Sequence, residues 1–291
     1  MGIVHIPVMR EEVIEALKVT GSGVYVDGTV GLGGHAEGIL ERAPQCTVIG
    51  LDRDGRALEL ARERLSAYRR VHLLQERFSQ MGSVVRRLGH ETVQGIVLDV
   101  GVSTLHLKAE GRGFSFLRDE PLDMRMDVRQ RLNAEDVVNS YREQELADLI
   151  WRFGEERYSR RIAKAIVRSR RRERILSCKD LAVIVEKAVG RRGKIHPATR
   201  TFQALRIEVN GELDELAAGI DAGAEILERG GRFCVLSYHS LEDRIVKNAF
   251  RKLAREGLFR IITKKPLLPA REERSMNPSS RSAKLRVGEK V

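Results

Sequence analysis

The chain has 291 residues, 42% hydrophobic and 32% charged, enough for one large α/β domain or two smaller ones with a real core, and too apolar for a disordered chain. Lys and Arg number 52 against 41 Asp and Glu, a formal net charge of +11 that biases partners toward polyanions such as nucleic acid. No run approaches the ~20 apolar residues of a membrane-spanning helix. Met1 to Pro7 lack the basic-then-apolar order of a signal peptide, and Cys46, Cys178 and Cys234 are too scattered for a disulfide framework or a zinc site, so a reducing, cytoplasmic setting is expected.

In chain order, the first half alternates short apolar runs with helical patterns. Val24–Val26, Thr47–Leu51, Val71–Leu74 and Gly95–Leu98 lack the in/out alternation of half-exposed strands and suit a parallel sheet buried on both faces. Asp54 is placed to N-cap a helix to about Tyr68, with Ala57, Leu58, Ala61 and Leu65 on one face. This is βαβ architecture. From about Leu105 to Asn210 the strand pattern disappears. Asn133 caps a helix into Val137 and Val138, a second runs through Glu145–Trp151, and a third from Ser159 through Arg170. Ser177 with Asp180 opens a fourth, and Pro197 stands at the first turn of a fifth. After a further helix ending near Gly230-Gly231, strands return at Phe233–Leu236, Phe259–Ile262 and Ala283–Val287, with 264–281 as a loop. The simplest organisation is a doubly wound α/β domain over 1–104 and 211–291, interrupted by an inserted helical domain over 105–210.

The strand ending at Asp27 runs into Gly28-Thr29-Val30-Gly31-Leu32-Gly33-Gly34-His35, where glycines let the backbone turn sharply and approach a ligand. The next strand ends at Asp52, whose carboxylate can accept hydrogen bonds from both hydroxyls of a ribose. Two cofactors share this logic. Gly31, Gly33 and Ala36 satisfy the spacing of a nicotinamide dinucleotide fingerprint. For S-adenosylmethionine the loop holds the methionine end, Asp52 the ribose, and Phe78 at the end of the third strand packs on the adenine. The fourth strand delivers Asp99 at its carboxyl end, beside the switch point where ligands sit. Loop and acids alone do not choose between methyl and hydride transfer.

Longer signatures do. Asp27-Gly28-Thr29 through Gly33-Gly34-His35, Asp52-Arg53-Asp54, Leu98–Ser103, Gly113–Phe116 and Pro121–Met126 occur in order. They are followed by His196–Gln203, Arg206–Asn210, Ser237–Arg244, and Asn277-Pro278 with Ser280–Arg286. In these the chain resembles the bacterial 16S ribosomal RNA (cytosine-N4) methyltransferases, over about His5 to the C-terminus. The resemblance implies a Rossmann-like class I methyltransferase sheet with an inserted all-helical substrate-recognition domain. It implies S-adenosyl-L-methionine as cofactor, contacted by Gly33, Gly34, His35, Asp52, Phe78 and Asp99. Where the family usually reads Ser-Ser-Pro-Gln-Leu this chain reads Ser103-Thr104-Leu105-His106-Leu107, which puts the next cofactor contact at His106. The implied substrate is a cytidine in the decoding region of 16S ribosomal RNA, in the small ribosomal subunit.

A sulfonium methyl is already activated, so the chemistry calls for no metal. The difficulty is the cytosine amine, which must be oriented and must donate hydrogen bonds as it pyramidalises. Asp99 binds cofactor, orients the amine, or does both, and His239, after the fifth strand, faces the base or takes the proton, unless it is structural. Substrate contacts are expected from a basic helix. Arg157 to Arg174 contains nine Lys or Arg and one acid, with Arg160, Lys164 and Arg168 at helical spacing, and Arg191, Arg192 and Lys194 form a second cluster. The plain alternative is a solvated helix face. Among rival functions, a dehydrogenase lacks a well-spaced catalytic His or Tyr–Lys pair. A non-catalytic ribosome-assembly factor has no use for the glycine loop and Asp52. A DNA amino-methyltransferase should show an Asp/Asn-Pro-Pro-aromatic segment after the fourth strand, which is missing; no DNA and no membrane partner is expected.

Overall fold

The computed structural model describes residues 6–101, 111–190 and 195–291. The contacts expected from His106, Arg191, Arg192 and Lys194 lie outside these residues. The chain divides into two compact units, Met1–Ser103 with Leu213–Val291, and Thr104–Glu212.

The first unit is a seven-stranded sheet with helices on both faces. Its strands are β1 (Val24–Asp27), β2 (Thr47–Asp52), β3 (Val71–Gln75), β4 (Val93–Asp99), β5 (Leu227–Ser237), β6 (Phe259–Ile261) and β7 (Lys284–Lys290), in the order β3-β2-β1-β4-β5-β7-β6. The pairs from β3 to β5 are parallel, and β7 runs antiparallel to both β5 and β6. The unbroken apolar runs reflect burial on two faces. Tyr25, Val48, Val97 and Cys234 pack with α1 (Arg10–Leu17) and α2 (Gly34–Arg42), while Val26, Ile49, Ile96 and Phe233 face the other way. That second core takes in α4 (Met81–Arg87), α10 (Glu212–Ile226) and α11 (Ser240–Arg255). Each fully buried aliphatic side chain contributes roughly 1.5–3 kcal/mol.

Helix α3 (Gly55–Arg64) starts where expected, with Asp54 Oδ1 accepting the Arg56 N–H at 3.0 Å. It stops short of Tyr68, because the chain turns at Leu65 to bring Val71 into register with Val48. Two further differences arise from long-range pairing. Gly230-Gly231 does not end a helix. It lies inside β5, where Gly230 takes φ +79° and the ladder to β4 shifts register between Val93 and Gly95. The expected loop 264–281 contains a short helix, α12 (Arg271–Met276), and a 3-10 turn (Pro278–Ser282), tied down by Glu273 accepting the Met9 N–H at 2.7 Å and by Asn277 donating to Ile6 O.

The second unit carries α5 (Ala134–Ser140), α6 (Glu143–Gly154), α7 (Ser159–Arg170), α8 (Cys178–Val189) and α9 (Ala198–Asn210), with no strand among its described residues. Asn133 and Ser177 N-cap α5 and α8 as their sequence positions suggest. Buried Asn210 accepts the Met126 N–H and donates to Met124 O, pinning the segment before α5 to the end of α9.

Candidate cofactor and catalytic site

Parallel pairing aligns Asp27 with Gly50 on β2 and with Val97 on β4. Asp52 and Asp99 therefore each stand two residues further along their strands, and a period of two puts all three carboxyl groups on one face at the carboxyl edge. The glycine loop folds over them. Its backbone is held by Gly28 N–H to Val97 O (2.9 Å), Val30 N–H to Leu51 O (2.8 Å) and Gly33 N–H to Val30 O (2.7 Å). Gly33 adopts φ +83° as it enters α2, a conformation a side chain would strain. Gly34 opens the helix against Pro7.

Each acid has its own environment. Asp52 accepts the Gly31 N–H (2.9 Å) and the Asp54 N–H (2.8 Å), so it shapes the loop it was expected to serve. A carboxylate accepts about four hydrogen bonds, so this duty is compatible with a ribose. Asp27 is fully buried; Oδ1 accepts the Thr29 N–H while Oδ2 has no partner among the described residues. Burial, reinforced by the charges of Asp99 and Asp52, pushes its carboxyl up to about 8. Asp99 keeps 19% of its side chain exposed. Burial, opposed by a hydrogen bond from Tyr238, leaves its carboxyl pushed up to about 7.

Two histidines have contrasting surroundings. His35 is buried, and its Nε2 lies 3.0 Å from Val8 O, so Nε2 carries the proton and donates. Desolvation lowers it to about 4, leaving a neutral ring whose Nδ1 stands 4.0 Å from Asp99 Oδ2. His239 N-caps α11, with Nδ1 accepting the Glu242 N–H at 3.4 Å while Glu242 accepts the Tyr238 and His239 N–H groups in return. This capping box gives His239 a structural duty.

Tyr238, beside it, falls within the Ser237–Arg244 signature, but the sequence assigned it no role. Its hydroxyl donates to Asp99 Oδ1 at 2.6 Å. Phe78 begins a one-turn 3-10 helix (Phe78–Gln80) after β3, and its ring lies where a Cβ on Gly219 of α10 would sit, 2.3 Å from Cδ2. Ser79 is held by buried Glu215, N–H at 2.9 Å and Oγ at 3.1 Å, so α10 seats the aromatic ring. Glu215 and Gly219 were not legible either, since their partners lie more than a hundred residues away. Gly33, Gly34, His35, Asp52, Phe78 and Asp99 thus gather around one carboxyl edge. Arg160, Lys164 and Arg168 are exposed on α7 of the other unit and, among the described residues, pair with no carboxylate.

The cluster tests which cofactor fits. Asp99 and Asp52 lie close enough to buried Asp27 to add to its raised pKa, so negative charge gathers beneath the loop, a setting that disfavours a pyrophosphate and favours a cation. A dinucleotide brings the former and S-adenosylmethionine the latter, as sulfonium and ammonium.

The family profile described as the MraW methylase family matches residues 2–291. The ribosomal RNA small subunit methyltransferase H of Persephonella marina is 48% identical over 291 residues, 99% of this chain and 99% of that protein. The protein of the same name from Clostridioides difficile is 43% identical over 307 aligned positions, again 99% of each. Among solved structures, a candidate rRNA methylase from Clostridium thermocellum superposes with a TM-score of 0.50 at 11% identity, covering 99% of this chain and 100% of that one, a likeness of fold.

Proposed function

The chain belongs to the MraW methylase family, and from that premise we propose that it transfers the methyl group of S-adenosylmethionine to the exocyclic N4 of a cytidine in the decoding region of 16S ribosomal RNA, acting in the cytoplasm on the small ribosomal subunit. It is a methyltransferase with the Rossmann-like class I sheet. The observation that carries the reading is the trio Asp27, Asp52 and Asp99 on one face beneath the glycine loop, a cation-accepting site with a ribose acceptor at one side.

Bound S-adenosylmethionine supplies an activated methyl. The chain's residues do the rest. Gly33, Gly34 and His35 shape the loop, Asp52 accepts the ribose hydroxyls, and Phe78 offers its ring to the adenine. Tyr238 holds Oδ1 of Asp99, which leaves Oδ2 to accept a hydrogen bond from the cytosine amine and align its lone pair. With its pKa near 7, Asp99 is poised to hold the amine proton as it is lost. His239 supports this arrangement by capping the helix that follows Tyr238. Arg160, Lys164 and Arg168, with Arg191, Arg192 and Lys194, contact RNA phosphates, and His106 completes the cofactor contacts.

The test is methyl transfer from labelled S-adenosylmethionine to unmodified small ribosomal subunits, followed by nuclease digestion and mass spectrometry of the labelled fragment. N4-methylcytidine within the decoding region is expected. Label on another base or position would overturn the assignment of target.

A further inference from the structure

The second half of α11 concentrates positive charge that the methyl-transfer chemistry leaves unused. From Arg244 to Lys265 there are eight Lys or Arg and one acid, Glu256. Val246, Phe250 and Leu253 are buried against the sheet, which leaves Asn248, Arg251, Lys252 and Arg255 exposed on the opposite side. Between this face and β6 runs an open groove of about 760 Å³, lined by Asn248, Arg251, Ala254, Arg255 and Ile261. β6 is the last strand of the sheet, so the groove is bordered by an unpaired strand edge.

Four neighbouring cations are matched by acids. Asp243 takes Arg286 (2.6 Å) and Lys284 (3.7 Å), and Glu289 takes Arg232 (2.6 Å) and Arg260. Arg251, Lys252 and Arg255 pair with no carboxylate among the described residues. Lys252 and Arg255 lie in the last turn, where they also complement the helix dipole. Arg251, a turn before Arg255 and lining the same groove, is not explained that way.

We propose that the groove between α11 and β6 binds the sugar-phosphate backbone of RNA flanking the target, so that the methyltransferase unit carries a phosphate-contact surface of its own. The proposal rests on the RNA substrate argued above. Guanidinium forks match phosphate oxygens, and Ala254 and Ile261 offer an apolar floor to ribose. At 1.5 Å per residue, Arg251 and Arg255 lie about 18 and 24 Å along α11 from His239. That span is several phosphates long, so the contacted RNA extends beyond the reacting base.

The experiment compares wild type with Arg251→Glu/Arg255→Glu in binding to unmodified small ribosomal subunits across a salt series, with S-adenosylmethionine affinity as the folding control. The variant is expected to keep cofactor affinity, to bind subunits at least about tenfold more weakly at low salt, and to flatten the log–log salt slope by about 1.4–1.8, two contacts at roughly 0.7–0.9 each. If the reversal disturbs folding, Arg251→Gln/Arg255→Gln decides by the same slope. Wild type that methylates subunits alongside a variant of unchanged slope would overturn the groove and leave the RNA reading standing. Wild type that neither binds nor methylates subunits would overturn that reading, and the groove with it. An unchanged RNA slope with lost binding to phosphatidylserine vesicles would reassign the surface to anionic membranes and overturn the proposal.

Discussion

At Asp99 a single hydrogen bond decides which carboxylate oxygen is available. Tyr238 donates to Oδ1 and stabilises the ionised form against burial. Tyr238→Phe removes that donor, so the pKa of Asp99 should climb further above 7. The carboxylate is the active form, and the rate should fall at pH 7 and recover as pH rises past the new pKa. The acid limb of the pH–rate profile should move up while the Kd for S-adenosylmethionine stays within about threefold. A uniform loss at every pH would mean that Tyr238 only packs. Asp52 and Asp99 could be picked out from the sequence because each closes an apolar run, and that is a local pattern. Tyr238 could not, because its partner is 139 residues away and nothing local distinguishes it from a core tyrosine.

At the scale of the element, helix ends separate structure from chemistry. His239 caps α11, and Asn is among the best N-cap residues. His239→Asn should keep stability and most of the rate, whereas His239→Ala should cost about 0.5–2 kcal/mol in chemical denaturation. A stable His239→Asn variant without activity would return the proton-accepting role to the imidazole. From the sequence a histidine after a strand reads as either catalytic or structural, and only its Nδ1 partner in the fold reveals the cap. On α7, Ile162, Ala163, Ile166 and Val167 are buried, and Arg170 is engaged by the carbonyls of Val138 and Tyr141, so Arg160, Lys164 and Arg168 can be changed without touching the core. Reversing these three to Glu should leave cofactor affinity unchanged, weaken subunit binding, and flatten the salt slope by about 0.7–0.9 per lost contact. An unchanged slope would make this helix a solvated face.

At the scale of the molecule, the net charge of +11 and the acid-lined edge proposed to hold the cofactor pull in opposite directions: the first favours a polyanion as partner, the second a cation as ligand. Asp27 and Asp99 have raised pKa values near 8 and 7, and a bound cation favours their ionised forms. Binding should therefore release protons, so affinity for S-adenosylmethionine should rise from about pH 6 to about pH 8. S-adenosylhomocysteine, which keeps the ammonium but lacks the sulfonium charge, should respond less; calorimetry in buffers of different ionisation enthalpy counts the protons. Equal pH dependence for both ligands would remove the sulfonium from the argument. The sequence by itself determined the parallel half of the sheet, the glycine loop, the strand-terminal acids and the basic helix, because periodicity, capping and turn chemistry act within a few residues. Only the tertiary structure decided the β5–β7–β6 edge, the register shift of β5 near Gly230, the seating of Phe78 on Gly219 and the raised pKa values of Asp27 and Asp99. Register between distant strands and the desolvation of a carboxyl group are properties of neighbours that the linear chain does not place together.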